Sequence, residues 1–309
     1  VESMLRRTLV CAVAVTAGSA MAGAAGNPMA SANTTTNVLP DTASMRTRAE
    51  QGDADAQCRL GFFYEQGHGV DKNATEAARW YRKAAEQGHV GAQNNLGRCY
   101  WLGAGVDKSA TEAAMWWRKA AEQGQAGAQF NLGLCYEFGR GLVPDPTEAA
   151  KWYRKAAEQG HAGAQYNLGN CYVTGAGVGQ NATEAAHWFR RAAEQGRAEA
   201  QYNLGFCYAF GKGLVKNPTE AVQWYRRAAE QGHADAQYNL GSSYLMGAGV
   251  IADKVEACKW FLLAEASGQP QAGELRSKLA REMSAAQLAQ ATALAQAWQK
   301  KREQSQPAP

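Results

Sequence analysis

The sequence predicts an all-α solenoid, a row of helix-turn-helix hairpins stacked side by side. Three observations predict it. Glycine recurs at Gly52, Gly88, Gly124, Gly160, Gly196, Gly232 and Gly268, always 36 residues apart. A Leu-Gly pair keeps that step at Leu60-Gly61, Leu96-Gly97, Leu132-Gly133, Leu168-Gly169, Leu204-Gly205 and Leu240-Gly241. Tryptophan keeps it at Trp80, Trp116, Trp152, Trp188, Trp224 and Trp260. Chance does not hold three residue types in one register, and a period of this size marks stacked supersecondary units.

The N-terminal part stands apart from the repeats. Arg6 and Arg7 precede an apolar run from Leu9 to Ala25, which ends in the small-residue triplets Ala20-Met21-Ala22 and Ala22-Gly23-Ala24. This is the pattern of a signal peptide over residues 1–25, and it predicts a periplasmic or secreted protein. Read as a membrane anchor instead, the run sits at the low edge of spanning length. Cys11 lies inside the run and not at its end, against a lipid-anchored cysteine. Residues 26–43 are rich in Ala, Ser, Thr and Asn without periodicity, the composition of a disordered spacer. Net charge is only +4 over 309 residues, and aromatics do not interleave with basic runs, so nucleic acid is not an expected partner.

The solenoid is expected over residues 44–298. The stretch Ser44 to Gly52 reads as the end of a second helix without its first partner, and it begins the stack. Six repeats follow, over about residues 53–88, 89–124, 125–160, 161–196, 197–232 and 233–268. In the second copy, Ala92, Leu96, Cys99 and Tyr100 form one apolar stripe of a helix over Val90 to Leu102. Gly103 and Gly105 end it with a turn. Ser109 caps the next helix and Glu112 closes a capping box, a device repeated at Asn73/Glu76, Asp145/Glu148, Asn181/Glu184, Asn217/Glu220 and Asp253/Glu256. Pro146 and Pro218 occupy the first helical position, where a missing amide is harmless. Glycine inside a helix, as at Gly97, is unfavourable by about 1 kcal/mol. Close approach of the partner helix explains it, with Trp116 expected to fill the groove beside it. Residues 269–298 form a cap: Arg276 and Ser277 replace the Leu-Gly pair, and Ser284 to Trp298 reads as a closing helix. Residues 299–309 read as a disordered polar tail.

With A-x-x-G-x-A-x-A-Q-x-x-L-G-x-x-Y-x-x-G-x-G-V and the later E-A-x-x-W-Y-R-K-A-A-E-Q-G in view, the chain resembles the Sel-one-like repeat family, a relative of the tetratricopeptide repeats. The resemblance runs strongly from Arg48 to Gly268 and weakly through the cap. It implies a right-handed alpha-alpha superhelix that serves as a non-catalytic adaptor, signalling scaffold or secreted interaction protein. An extracytoplasmic branch of the family, with two disulfide-bonded cysteines per repeat, is associated with β-lactam binding. Here Cys99, Cys135, Cys171 and Cys207 contribute one each, a departure from that pattern.

The reactive-looking residues fall into the same register. Packed helices lie about 8–10 Å apart, whereas disulfide-bonded Cα atoms must come within about 7 Å. Pairing down the cysteine column is therefore unfavourable, and the column reads as core. The glycine pairs beginning at Gly67 and Gly103 follow helices, not strands, and recur in each copy, so they are turns and not nucleotide loops. His89, His161 and His233 stand two repeats apart, too far to share a metal. No Ser, His and Asp set stands outside the repeat pattern, and no S-x-x-K motif is present. No catalytic residue, cofactor or metal is assigned.

Positions that vary between copies are where a ligand can be read. On the first helices one column, expected to be exposed, holds Cys58, Asn94, Phe130, Tyr166, Tyr202 and Tyr238. Beside it run Asn95, Asn131, Asn167, Asn203 and Asn239. In the tetratricopeptide-like arrangement that the chain resembles, first helices line a concave groove, where asparagine can bond the backbone of a bound peptide. Phe130, Tyr166, Tyr202 and Tyr238 would add contact area. The same asparagines can instead bond a neighbouring helix and hold register. The expected function is a protein- or peptide-binding scaffold without catalysis, not integral to the membrane after signal cleavage. The alternatives are a β-lactam-interacting hydrolase and a structural envelope protein without a specific ligand.

Overall fold

A computed structural model describes residues 42–305, and among them there are fifteen helices and no strand. The expected leader, residues 26–41 of the spacer and the last four residues of the tail lie outside the described residues. Helix α1 spans Thr42–Glu50, two residues earlier than the sequence pattern suggested. The first helices of the repeats are α2 (Ala54–Gln66), α4 (Val90–Leu102), α6 (Ala126–Phe138), α8 (Ala162–Thr174), α10 (Ala198–Phe210) and α12 (Ala234–Met246). The second helices are α3 (Ala74–Glu86), α5 (Ala110–Glu122), α7 (Pro146–Glu158), α9 (Ala182–Glu194), α11 (Pro218–Glu230) and α13 (Lys254–Ala266). Helices α14 (Pro270–Ala280) and α15 (Ala285–Ser305) close the chain. The described residues form two compact units, residues 42–145 with α1–α6 and residues 146–305 with α7–α15. Within each unit every helix packs against the next through α13, so successive hairpins share surface as in a solenoid.

The caps explain the helix starts. Asn73 accepts hydrogen bonds from the amides of Thr75 and Glu76 at 3.1 Å, and Ser109 accepts from Glu112 at 3.2 Å. Asn181, Asn217 and Asp253 act likewise. At Asn73, Ser109, Asn181, Asn217 and Asp253 the expected return half of the capping box is replaced. The amides of Asn73, Ser109, Asn181, Asn217 and Asp253 donate instead to the carbonyls of Tyr64, Tyr100, Tyr172, Tyr208 and Tyr244, at 2.8–3.0 Å. Each of these bonds closes the turn onto its own first helix. The freed Glu76 pairs with Arg79 at 2.6 Å.

Inside the units the core is apolar and tightly shared. Leu60, Leu96, Leu132, Leu168, Leu204 and Leu240 are at most 1% exposed. The helical glycine has the close contact anticipated for it beside Leu60, Leu96, Leu168, Leu204 and Leu240, but the partner is the residue after the register tryptophan. A Cβ on Gly97 would lie 2.7 Å from the Trp117 indole, and equivalent groups at Gly61, Gly169, Gly205 and Gly241 would meet Tyr81, Phe189, Tyr225 and Phe261. Trp116 lies one residue, and about 100° of helix, away from that direction. In the turn, Gly105 has φ +72° and its missing Cβ lets the Ala74 carbonyl of the preceding repeat come close.

Both ends depart from the repeat. Met45 and Ala49 of α1 are buried with Ala56, Leu60 and Trp80, so α1 acts as a half-repeat against α2. At the other end α15 does not stop at Trp298 but continues to Ser305, correcting the expectation of a disordered tail for residues 299–305. Its Ala291 packs into the core with Ala257, Phe261 and Leu279. Trp298 meets Trp260 edge-on, with ring centroids 6.4 Å apart. Arg302 lies over the Trp298 ring at 5.4 Å and occupies the space beside Gly232. A cation near a helix C-terminus is stabilising, which extends the helix past its apolar part.

Candidate functional site: the first-helix face

Three rows of polar residues on the first helices decide what this face can do. The innermost is a glutamine row that the motif contained but sequence reasoning left unassigned. Gln57, Gln93, Gln129, Gln165, Gln201 and Gln237 are all buried. Each donates from Nε2 to a carbonyl at the end of the preceding helix; Gln93 reaches Ala85 at 3.2 Å and Gln165 reaches Ala157 at 3.0 Å. From the following turn, Gln123 Nε2 donates to Gln93 Oε1 at 2.8 Å and Gln195 Nε2 to Gln165 Oε1 at 2.7 Å. Gln57 and Gln201 receive the same bond from Gln87 and Gln231. These four side chains thus bond the chain on both sides of their own helix. The available signal was one amide kept constant beside an apolar stripe, where a buried polar group requires partners.

The asparagine row is half-buried: Asn95, Asn131, Asn167, Asn203 and Asn239 are neither core nor fully exposed. Asn203 lies in hydrogen-bonding reach of the Tyr166 hydroxyl, and Asn239 in reach of Tyr202 and Tyr225. In the second unit, then, Asn203 and Asn239 lie beside the tyrosine of the repeat before. The aromatic column corrects the expected exposure. Cys58 and Phe130 are buried, at 4% and 3% exposed, while Tyr166, Tyr202 and Tyr238 are half-buried. For Tyr166 and Tyr202 the reason lies in the cap residue of the next first helix. Tyr202 stacks on His233 with centroids 4.9 Å apart, and the Arg197 guanidinium sits 4.8 Å from the centre of the Tyr166 ring.

The histidines have a role in this arrangement. Nδ1 of His89, His161 and His233 accepts the amide hydrogen of Ala92, Ala164 and Ala236 at 3.0, 3.1 and 3.3 Å, so each imidazole is a helix N-cap. Asp53 and Gln125 cap at the same position in other copies. An accepting Nδ1 must be unprotonated. Burial, with the nearby Arg197 charge, pushes His161 down to about 4, and burial lowers His233. The cysteines are equally spoken for. No disulfide joins the described cysteines. Burial raises the thiols of Cys99 and Cys207 to about 11 and of Cys58 and Cys135 to about 12, which keeps them protonated and poorly nucleophilic at neutral pH.

The second helices add their own stitches. Arg82, Arg118, Arg154, Arg190 and Arg226 donate to the hydroxyls of Tyr100, Tyr136, Tyr172, Tyr208 and Tyr244 at 2.6–2.8 Å. What remains open on the first helices is the set that varies between copies: half-buried Phe62, Arg98, Asn170 and Phe206, and beyond them Leu102, Val173, Phe210 and Met246, which are exposed. Leu134 and Ser242 of the same column are buried. Arg98 is engaged by Glu65 at 2.6 Å. None of the helices among the described residues is long and apolar enough to cross a membrane.

Hairpins of constant length, stacked through shared side-chain bonds and without a strand among the described residues, define the helical-repeat class of scaffold proteins. Within that class the chain belongs to the Sel1 repeat family. The Sel1 repeat matches it six times, over residues 54–89, 90–125, 126–161, 162–196, 198–233 and 234–269. Among solved structures it is similar to c5321, a protective antigen present in uropathogenic Escherichia coli strains and displaying an SLR fold. That match has 34% identity over 87% of this chain and 67% of the other, with a TM-score of 0.61. It is also similar to a Sel1 repeat protein from Oxalobacter formigenes, with 36% identity over 72% of this chain and 90% of the other and a TM-score of 0.63. No curated protein sequence matches.

Proposed function

We propose that this Sel1 repeat scaffold binds a protein or peptide along the face of its first helices, outside the cytoplasm, without catalysing a reaction. One observation carries the reading. The constant glutamines are spent on internal bonds, whereas Phe62, Arg98, Asn170 and Phe206, which change from copy to copy, stay partly open on the first helices. Stacking explains the constants and leaves the variables to a ligand. Asn95, Asn131, Asn167, Asn203 and Asn239 then serve register first, and their remaining amide groups face the ligand; Tyr166, Tyr202 and Tyr238 supply edges for contact. Phe130, buried, supports this face from behind. The apolar run from Leu9 to Ala25, with its small-residue ending, supports export.

A photo-crosslinkable residue at Asn170, compared with one at Lys155 on a second helix, tests the reading in the native envelope and medium fractions. The expected result is a discrete crosslinked protein from Asn170 alone. Capture should weaken when Asn167 and Asn203 are both changed to alanine, with thermal unfolding held as a control. Equal capture from both sites, or undiminished capture by the alanine variant, rejects this face.

A further inference from the structure

The repeats provide their own control for what the fold requires. At the tip of the turn between the two helices, the first two copies place Asp71 and Asp107 and the fourth places Gly179. The third places Val143, in the first unit. The fifth and sixth place Val215 and Ile251, which are 88% and 91% exposed. Five residues before each tip the first helix ends. Gln66 and Thr174 serve there in the first and fourth copies and Leu102 and Phe138 in the second and third, while Phe210 and Met246 stand in the fifth and sixth, 43% and 51% exposed. Packing does not ask for apolar side chains at Phe210, Val215, Met246 or Ile251. All four belong to two successive turns on one edge of the second unit. Phe210 is braced from behind by Phe206, with ring centroids 4.5 Å apart.

Two lysines lie at this edge, near the carboxylates of Glu220 and Asp253. Lys212 and Lys216 flank Val215, both exposed, and none of the ion pairs among the described residues involves either. Two neighbouring acids are already engaged. Asp253 caps α13 through the amides of Val255 and Glu256, and Glu282 pairs with Lys254 at 2.9 Å. Aliphatic tips that protrude, one of them between unpaired lysines, match a surface with anionic headgroups over an apolar layer. A protein groove would instead favour recessed apolar groups with a polar rim.

We propose that the turn edge carrying Phe210, Val215, Met246 and Ile251, with Lys212 and Lys216, docks the second unit on an anionic lipid surface. The edge shares Phe210 and Met246 with the outer end of the first-helix face, whereas Val215 and Ile251 stand on the turns beyond it. The test is flotation of the full chain with vesicles of phosphatidylglycerol and phosphatidylcholine in equal parts, against vesicles of phosphatidylcholine alone. The expected result is salt-sensitive binding to the anionic vesicles only. A double variant, Val215→Asp with Ile251→Asp, uses the residue that the fold itself accepts at Asp71 and Asp107. It should bind about tenfold more weakly while unfolding at the same temperature. Both proteins carry residues 1–41, so the difference between them reports the tips. No binding by the unchanged chain, or equal binding by the variant, overturns the proposal.

Discussion

At the scale of single residues, several groups that look chemical are occupied by geometry. Gly97 is the plainest case. Trp117 is 1% exposed and its Nε1 donates to the Asn94 carbonyl at 3.2 Å, so it has no room to move aside for a Cβ. Gly97→Ala should therefore lose about 1–3 kcal/mol in urea unfolding by overpacking, in spite of the gain of about 1 kcal/mol that alanine brings to a helix. A stabilised variant would contradict the contact. The histidine caps predict a pH dependence. The folded chain holds His161 near 4, below the ordinary value of about 6.5, so its neutral form contributes stability fully above pH 6.5. That contribution is lost as pH falls towards 4, because the unfolded chain takes up the proton first. The loss is at most about 3 kcal/mol. His161→Gln installs the cap that Gln125 already provides in another copy and should flatten the profile of urea midpoint against pH between 6.5 and 4. An unchanged profile would remove His161 from the account.

At the scale of the helix, the sequence was legible where a rule acts within one element. The apolar stripe and flanking glycines placed α4 over Val90–Leu102, and the side-chain caps of the second helices were readable from Asn73, Ser109 and their equivalents. It was less legible where two elements meet. A 36-residue period says that Gln93 and Gln129 share an environment, but not that Ala85 and Gln123 provide it for Gln93. The same blindness put Trp116 where Trp117 belongs and took Phe130 for a surface residue. The last stitch tests the glutamine row directly. Gln237 is fully buried and its Oε1 has no hydrogen-bond partner, because Ser267 stands where Gln87, Gln123, Gln195 and Gln231 stand in other copies. Ser267→Gln should restore the bond and raise stability by about 1 kcal/mol, read as a higher urea midpoint. A neutral or destabilising result would show that the row gains nothing from its second bond.

At the scale of the whole molecule, the architecture has no single core. Stability comes from each hairpin's bonds to its immediate neighbours, and such arrays soften locally before they unfold globally. Surface that the stack does not consume is then available for partners, both along the first helices and at the turn edge of the second unit. Hydrogen exchange read by mass spectrometry on Gln165→Ala tests this organisation most directly, since that residue bonds the Ala157 carbonyl of α7 and receives Gln195 from the end of α9. The prediction is a joint loss of protection in α7, α8 and α9, with α12 and α13 unchanged. Loss confined to α8, or an equal loss in every helix, would contradict a stack held together neighbour by neighbour.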